Sequence, residues 1–241
     1  MNYLRIVLFF NLLVFTTAYS QTAKDFYEMG NNEYSLGNYE SALEYFTKAI
    51  ELNSEYREAF YWRGNAYYCL DNFSEAISDF TKAIEISPNY SEALFWRANA
   101  YYCLDNFSEA ISDFTKAIVV NPNYSDAYYW RGNAYYSLWN FSETISDYTK
   151  AIETDTTNNT EIYYWRGFAN LISKDYLNAK SDLIIGLEIN LNYPSEFYYN
   201  RGLAYYFVGD TKKACEDMWK AFALGIEDAK KYLEKYCSYK F

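Results

Sequence analysis

The chain has 241 residues, 51% of them hydrophobic and 22% aromatic, with 30 tyrosines and a formal net charge of −11. A chain this acidic is repelled by phosphate backbones, and no run of Lys or Arg offers a local basic patch, so nucleic acid is not an expected partner. The sequence holds no histidine, which removes the commonest general base and the commonest metal ligand; no catalytic residue, metal or cofactor is expected, and the chain does not read as an enzyme.

Near the amino terminus, Arg5 precedes an apolar stretch from Ile6 to Phe15, and small or polar residues follow, ending Ala18-Tyr19-Ser20. That order matches a secretory signal peptide over 1–20 with cleavage before Gln21, and the apolar stretch is too short to span a membrane comfortably. The mature chain is expected to begin at Gln21, to have no integral membrane span, and to be secreted or periplasmic.

Beyond this segment, the run NAYYCLDNFSEAISDFTKAI occurs twice without change, from Asn65 to Ile84 and from Asn99 to Ile118. Looser copies divide the chain into units 23–56, 57–90, 91–124, 125–158, 160–193 and 195–226. A fixed period of this length marks a solenoid, in which each unit buries its apolar face against its neighbours, so 21–241 reads as one repeat array. Within each unit, position eight is small (Gly30, Gly64, Ala98, Gly132, Gly167, Gly202), as is position twenty-seven. Position twenty-four is bulky (Phe46, Phe80, Phe114, Tyr148, Leu183, Met218), and the spacing of the apolar positions makes the second half of each unit an amphipathic helix. Asn72 with Glu75, Asn106 with Glu109 and Asn140 with Glu143 read as N-caps with capping-box partners. Asn89 with Glu92 and Asn123 with Asp126 mark the next first helices in the same way. Pro88 and Pro122 stop the preceding helices. Residues from about 227 to 236 read as a capping helix.

Two positions change together. Arg63, Arg97, Arg131, Arg166 and Arg201 stand at position seven of units whose position twenty-three is Asp79, Asp113, Asp147, Asp182 and Asp217, and the first unit has neither. They read as structural ion pairs, within a unit or between adjoining units, although descent from one duplicated ancestor would give the same agreement.

Small residues at eight, twenty and twenty-seven, aromatics at eleven and twenty-four and proline at thirty-two make the chain resemble the tetratricopeptide repeat (TPR) proteins, exported bacterial ones in particular, from Ala23 to about Ile226. The resemblance implies an all-α, right-handed α-α superhelix, a solenoid of about six helix pairs plus a C-terminal capping helix. It also implies a non-catalytic scaffold for protein–protein interaction whose first helices line a concave face. The positions that line that face are here Tyr61, Phe95, Tyr129 and Tyr164 at five; Trp62, Trp96, Trp130 and Trp165 at six; Asn65, Asn99 and Asn133 at nine; and Tyr68, Tyr102 and Tyr136 at twelve. Such a groove, aromatic with an amide ladder, suits a peptide or protein ligand. Glu58, Glu92, Asp126 and Glu161 at position two favour a basic or amide-rich one, or simply complement helix N-termini. The family's clamp for a terminal carboxylate needs bases at these positions, and only the Asn matches. The alternative ligand is a glycan stacking on the Tyr and Trp rings.

Cys69 and Cys103 occupy the same place in adjacent units, where equivalent Cα atoms are too far apart to bridge. Cys215 and Cys237 are candidates for a disulfide in an oxidising compartment, or for two buried thiols.

Overall fold

The computed structural model describes residues 21–154, 160–189 and 195–237; the signal segment expected at 1–20 lies outside them. All the regular structure described is helical. The helices pair as α1 (Ala23–Ser35) with α2 (Tyr39–Leu52), α3 (Arg57–Cys69) with α4 (Phe73–Ile86), and α5 (Ser91–Cys103) with α6 (Phe107–Val120). They continue as α7 (Ser125–Ser137) with α8 (Phe141–Thr154), α9 (Thr160–Ile172) with α10 (Tyr176–Ile189), and α11 (Ser195–Phe207) with α12 (Thr211–Ala223), followed by α13 (Glu227–Tyr236). The chain divides into two compact units, one ending at Pro88 and the other starting at Asn89. In the first, α1 to α4 each pack on the next and α1 also meets α3. In the second, α5 to α13 pack successively, with α5 meeting α7 and α9 meeting α11. Each unit is a stack of helical hairpins, the all-α repeat architecture. Among the described residues, no helix is long and apolar enough to cross a membrane.

Small residues let the two helices of a hairpin approach until a ring fills the gap between them. A Cβ added to Gly64 would lie 2.8 Å from the Phe80 ring, and one added to Gly132 would lie 2.8 Å from Tyr148. Phe46, Phe80, Phe114, Leu183 and Met218 are wholly buried, as are the alanines beside them on the second helices. Thr144 takes an alanine's place in α8 and is also wholly buried. Its hydroxyl is satisfied by donating to the Asn140 carbonyl at 2.9 Å.

The turn inside each hairpin has one construction. The Asn72 N–H donates to the Tyr67 carbonyl at 2.9 Å and the Asp71 N–H to the Tyr68 carbonyl at 3.0 Å, a Schellman closure. The residue at the corner has positive φ whether it is Gly37, Asp71, Asp105, Trp139, Lys174 or Gly209. This geometry corrects the capping boxes read from the sequence. Asn72 and Asn106 are N-cap residues but make no side-chain cap bond. Their own N–H groups close the turn, donating to the Tyr67 and Tyr101 carbonyls, so the reciprocal half of a capping box, from Glu75 or Glu109 back to the N-cap N–H, has no donor left. The N-caps of α5 and α7 are Tyr90 and Tyr124, not Asn89 and Asn123. In the turn before α7, the Asn121 side chain accepts from the Asn123 N–H at 3.2 Å, so the chain enters the helix one residue later. A true capping box joins Thr22 and Asp25, and Asp210 caps α12.

Each arginine at position seven grips the aspartate of its own hairpin with two donors. Arg63 Nε and Nη2 lie 2.7 and 2.8 Å from the Asp79 oxygens, and Arg131 Nε and Nη2 both lie 2.7 Å from Asp147. Arg97–Asp113, Arg166–Asp182 and Arg201–Asp217 have the same form. A third donor, Nη1, reaches the preceding hairpin: Arg63 to Thr47 at 3.0 Å, Arg131 to Thr115 at 3.0 Å and Arg166 to Thr149 at 3.2 Å. Burial pushes the Asp79 and Asp147 carboxyls up against the pull of their arginines, so the charge on each depends on its partner staying in place.

Two measurements follow from these contacts. Arg131→Met strands the buried Asp147 carboxylate and should cost about 3–5 kcal/mol in urea unfolding, whereas Arg131→Met with Asp147→Leu should cost clearly less. Purely additive losses would show that the pair is not coupled. The Tyr129 phenol is pushed up to about 12, chiefly by burial, with the Asn133 hydrogen bond opposing and the Glu161 charge adding. Burial also pushes Tyr148 well above its ordinary value. Below about pH 10 these phenols are protonated in both states, and above it only the unfolded chain releases their protons, so stability falls as pH rises. Thermal melts should show a constant Tm up to about pH 10 and a decline beyond it, with part of the phenolate absorbance appearing only on unfolding.

Candidate functional site

The first helices α1, α3, α5, α7, α9 and α11 carry the residues singled out by the repeat pattern, and burial sorts them into two sets. Tyr61, Phe95 and Tyr164 at position five are buried and Tyr129 is half-buried. These rings pack inward. Phe95 lies 5.7 Å from Phe114 and stacks on Tyr124 at 4.9 Å, while Tyr164 stacks on Phe197. In the first compact unit, Tyr27 packs on Phe46 at 6.1 Å and on Tyr56 at 5.1 Å. Tyr61, Phe95 and Tyr164 are therefore core residues rather than open groove. What seals Tyr27 and Phe95 is the tyrosine that closes each repeat, Tyr56 or Tyr124, a role the sequence pattern did not assign.

The tryptophans differ. Trp62, Trp96, Trp130 and Trp165 are half-exposed, as are Tyr68, Tyr102 and Tyr136 at position twelve. Each of three indoles meets the tyrosine of the preceding hairpin edge-on: Trp62 with Tyr34 at 5.1 Å, Trp130 with Tyr102 at 5.5 Å and Trp165 with Tyr136 at 6.1 Å. Phe168 joins this surface unpredicted. It stands where the first four repeats have Asn and packs 6.2 Å from Tyr136 and 6.3 Å from Trp165; its identity as the one ring at position nine was the available signal.

The amide ladder is corrected as well. Asn65 and Asn99 are buried, and their Nδ2 groups donate to the carbonyls of Tyr61 and Phe95 one turn earlier, at 2.8 and 2.9 Å. Their donors serve their own helices instead of facing outward. Asn133 is drawn inward by a different partner: the Tyr148 hydroxyl donates to its Oδ1 at 2.5 Å. Asn200, where the four middle repeats carry Trp, is buried and donates to the Tyr164 hydroxyl at 3.1 Å.

At position two, Glu92, Asp126, Glu161 and Glu196 are exposed. Glu161 accepts from Trp165 Nε1 at 3.2 Å, which fixes one edge of that indole. Glu58 is half-buried and paired with Arg57. The half-exposed rings of the second compact unit are thus bordered by carboxylates.

Cys215 on α12 and Cys237, just beyond α13, are joined by a disulfide with their Cα atoms 5.7 Å apart, tying the last helix to its neighbour. Cys69 and Cys103 are exposed and lie outside any disulfide; the Tyr34 hydroxyl is 3.5 Å from Cys69 Sγ. Among the described residues, no three His, Cys, Asp or Glu side chains gather as metal ligands.

Family models described as tetratricopeptide repeat match residues 27–91, 80–112, 125–158 and 195–224, and one described as TPR repeat matches 99–138. No curated protein matches by sequence. The chain is similar to the solved structure of YrrB, described as a TPR protein with an unusual peptide-binding site, at 23% identity and a TM-score of 0.70, covering 79% of this chain and 97% of that one. It is similar to PilF of Pseudomonas aeruginosa at 13% identity and a TM-score of 0.72, covering 88% of this chain and 97% of that one. With a tetratricopeptide repeat protein from Parabacteroides merdae it shares 18% identity and a TM-score of 0.65, over 88% of this chain and 97% of that one. At such identities the likeness is one of fold.

The Asn133–Tyr148 contact makes a direct test of which face the amide serves. Asn133→Leu leaves a buried hydroxyl without its acceptor and should cost roughly 1–3 kcal/mol in urea unfolding. Adding Tyr148→Phe should recover most of the loss. An Asn133→Leu variant as stable as the parent would show the amide is not holding that hydroxyl.

Proposed function

We propose that this chain, which belongs to the tetratricopeptide repeat family, is a non-catalytic scaffold that binds a peptide or protein segment outside the cytoplasm. The observation that carries the reading is the row of half-exposed rings in the second compact unit, Tyr102 with Trp130 and Tyr136 with Trp165 and Phe168. These rings are positioned by their neighbours before any ligand arrives, so little side-chain entropy is lost on contact. The bordering Asp126, Glu161 and Glu196 favour a ligand segment with basic or amide-rich side chains. An aromatic wall supplies contact area, and the acidic rim supplies selection. Export is supported by the reading of 1–20 as a signal peptide and by the Cys215–Cys237 disulfide, a bond that persists in oxidising compartments.

The test is a screen of the mature chain against a displayed peptide library, followed by titration of the best peptide with Trp fluorescence as readout. Trp130→Ala and Trp165→Ala should each weaken binding by roughly tenfold or more. Trp219→Ala, which removes an exposed indole on α12, should leave it unchanged. Equal binding by all three variants would overturn the site. An oligosaccharide bound through Trp130 and Trp165, with no peptide bound, would overturn the ligand class.

A further inference from the structure

A cleft of about 530 Å³ opens between α8, α9 and α10, walled by Ile145, Thr149, Arg166, Asn170, Ser173 and Asp182. It is built from positions seven, eleven and fourteen of the repeat, a different set from the half-exposed rings. Other repeats fill these positions. Tyr67, Tyr101, Tyr135 and Tyr205 stand at position eleven and Leu70, Leu104, Leu138 and Val208 at fourteen, where the fifth repeat has Asn170 and Ser173. Both replacements remove volume and add polarity at one place.

The last hairpin shows one way such a place is filled. In the last hairpin, Arg201 lies 5.9 Å from the Tyr198 ring and 5.8 Å from the Tyr205 ring, so it meets an aromatic one turn before it and another one turn after it. Arg166 keeps the first of these contacts, with Tyr163 at 5.5 Å, but has Asn170 in place of the second ring. The Asn170 amide is buried and donates to Asp182 at 3.3 Å. Arg166 itself is held by Asp182 and by Thr149 at 3.2 Å, so its plane is fixed beside the cleft.

We infer that this cleft receives the phenol ring of a tyrosine presented by a partner polypeptide, in the manner in which Tyr205 lies against Arg201. A planar cation that is already hydrogen-bonded at its edges offers its face to an aromatic ring. Ile145 supplies an apolar wall, and Ser173 adds a hydroxyl to the lining. Asp175 and Asp182 line the cleft against the single charge of Arg166, so an anion such as a phosphotyrosine is repelled. An aliphatic side chain gains nothing from the guanidinium.

The probe is N-acetyltyrosinamide, titrated into the isotope-labelled chain and followed by NMR at the Arg166 and Asn170 side chains. Saturable shifts are expected, with N-acetylleucinamide and N-acetylphosphotyrosinamide each weaker by roughly tenfold or more. Asn170→Tyr installs the ring of the other repeats; it should raise Tm and weaken the probe at least about tenfold. Ser173→Leu, a smaller change, should weaken it in the same direction if Asn170→Tyr does not fold. No saturable shift, equal binding of the leucine probe, or an unchanged affinity in both variants overturns the proposal. Binding of free p-cresol without binding of a Gly-Gly-Tyr-Gly-Gly peptide would overturn the polypeptide source.

Discussion

A carboxylate that water barely reaches cannot lose its guanidinium without stranding a charge, and that constraint governs every hairpin from the second onward. Asp79, Asp113, Asp147, Asp182 and Asp217 are all buried. Each is held in a two-point grip from the first helix of its own hairpin. Contacts among alanines and phenylalanines would tolerate some sliding of one helix along the other, whereas a forked hydrogen bond does not. Because Arg63, Arg131 and Arg166 also reach a threonine of the hairpin before, one side chain sets both the angle inside a repeat and the seat of the repeat on its predecessor.

The helical hairpins were legible in the sequence because the residues that repeat are the ones that touch. Gly64 and Phe80, or Gly132 and Tyr148, recur at fixed spacing for the reason that each small residue admits its ring. The boundaries were legible too, through Pro88 and Pro122. The capping boxes were not, since Asn72 and Glu75 look like reciprocal partners until the Asn72 N–H is found already committed to the Tyr67 carbonyl. A string of residue types does not show which donors a turn has used.

The surface was harder to read than the fold. Tyr61 and Trp62 are neighbours on one broad stripe, yet one is buried and the other half-exposed. For the equivalent Phe95 the difference rests on a tyrosine some thirty residues further on, Tyr124, which no periodicity of its own helix reveals. Asn65 and Asn99 look like ligand-facing amides until their donors are seen to rest on their own helices. Asn133 departs from both because one oxygen, that of Tyr148 where Phe114 stands a repeat earlier, gives it a different partner. Substitutions of a single atom between repeats thus rewire the polar contacts while the apolar ones persist.

The corner of each hairpin carries the same left-handed residue whether that residue is glycine, aspartate, lysine or the 76% exposed Trp139. Only glycine takes that conformation freely, so its shape is imposed by the two helices and not by the residue that occupies it. After a duplication, an array of this kind can alter its outward chemistry at the corners without disturbing helix register, and new character would accumulate there before it spread to the helices themselves.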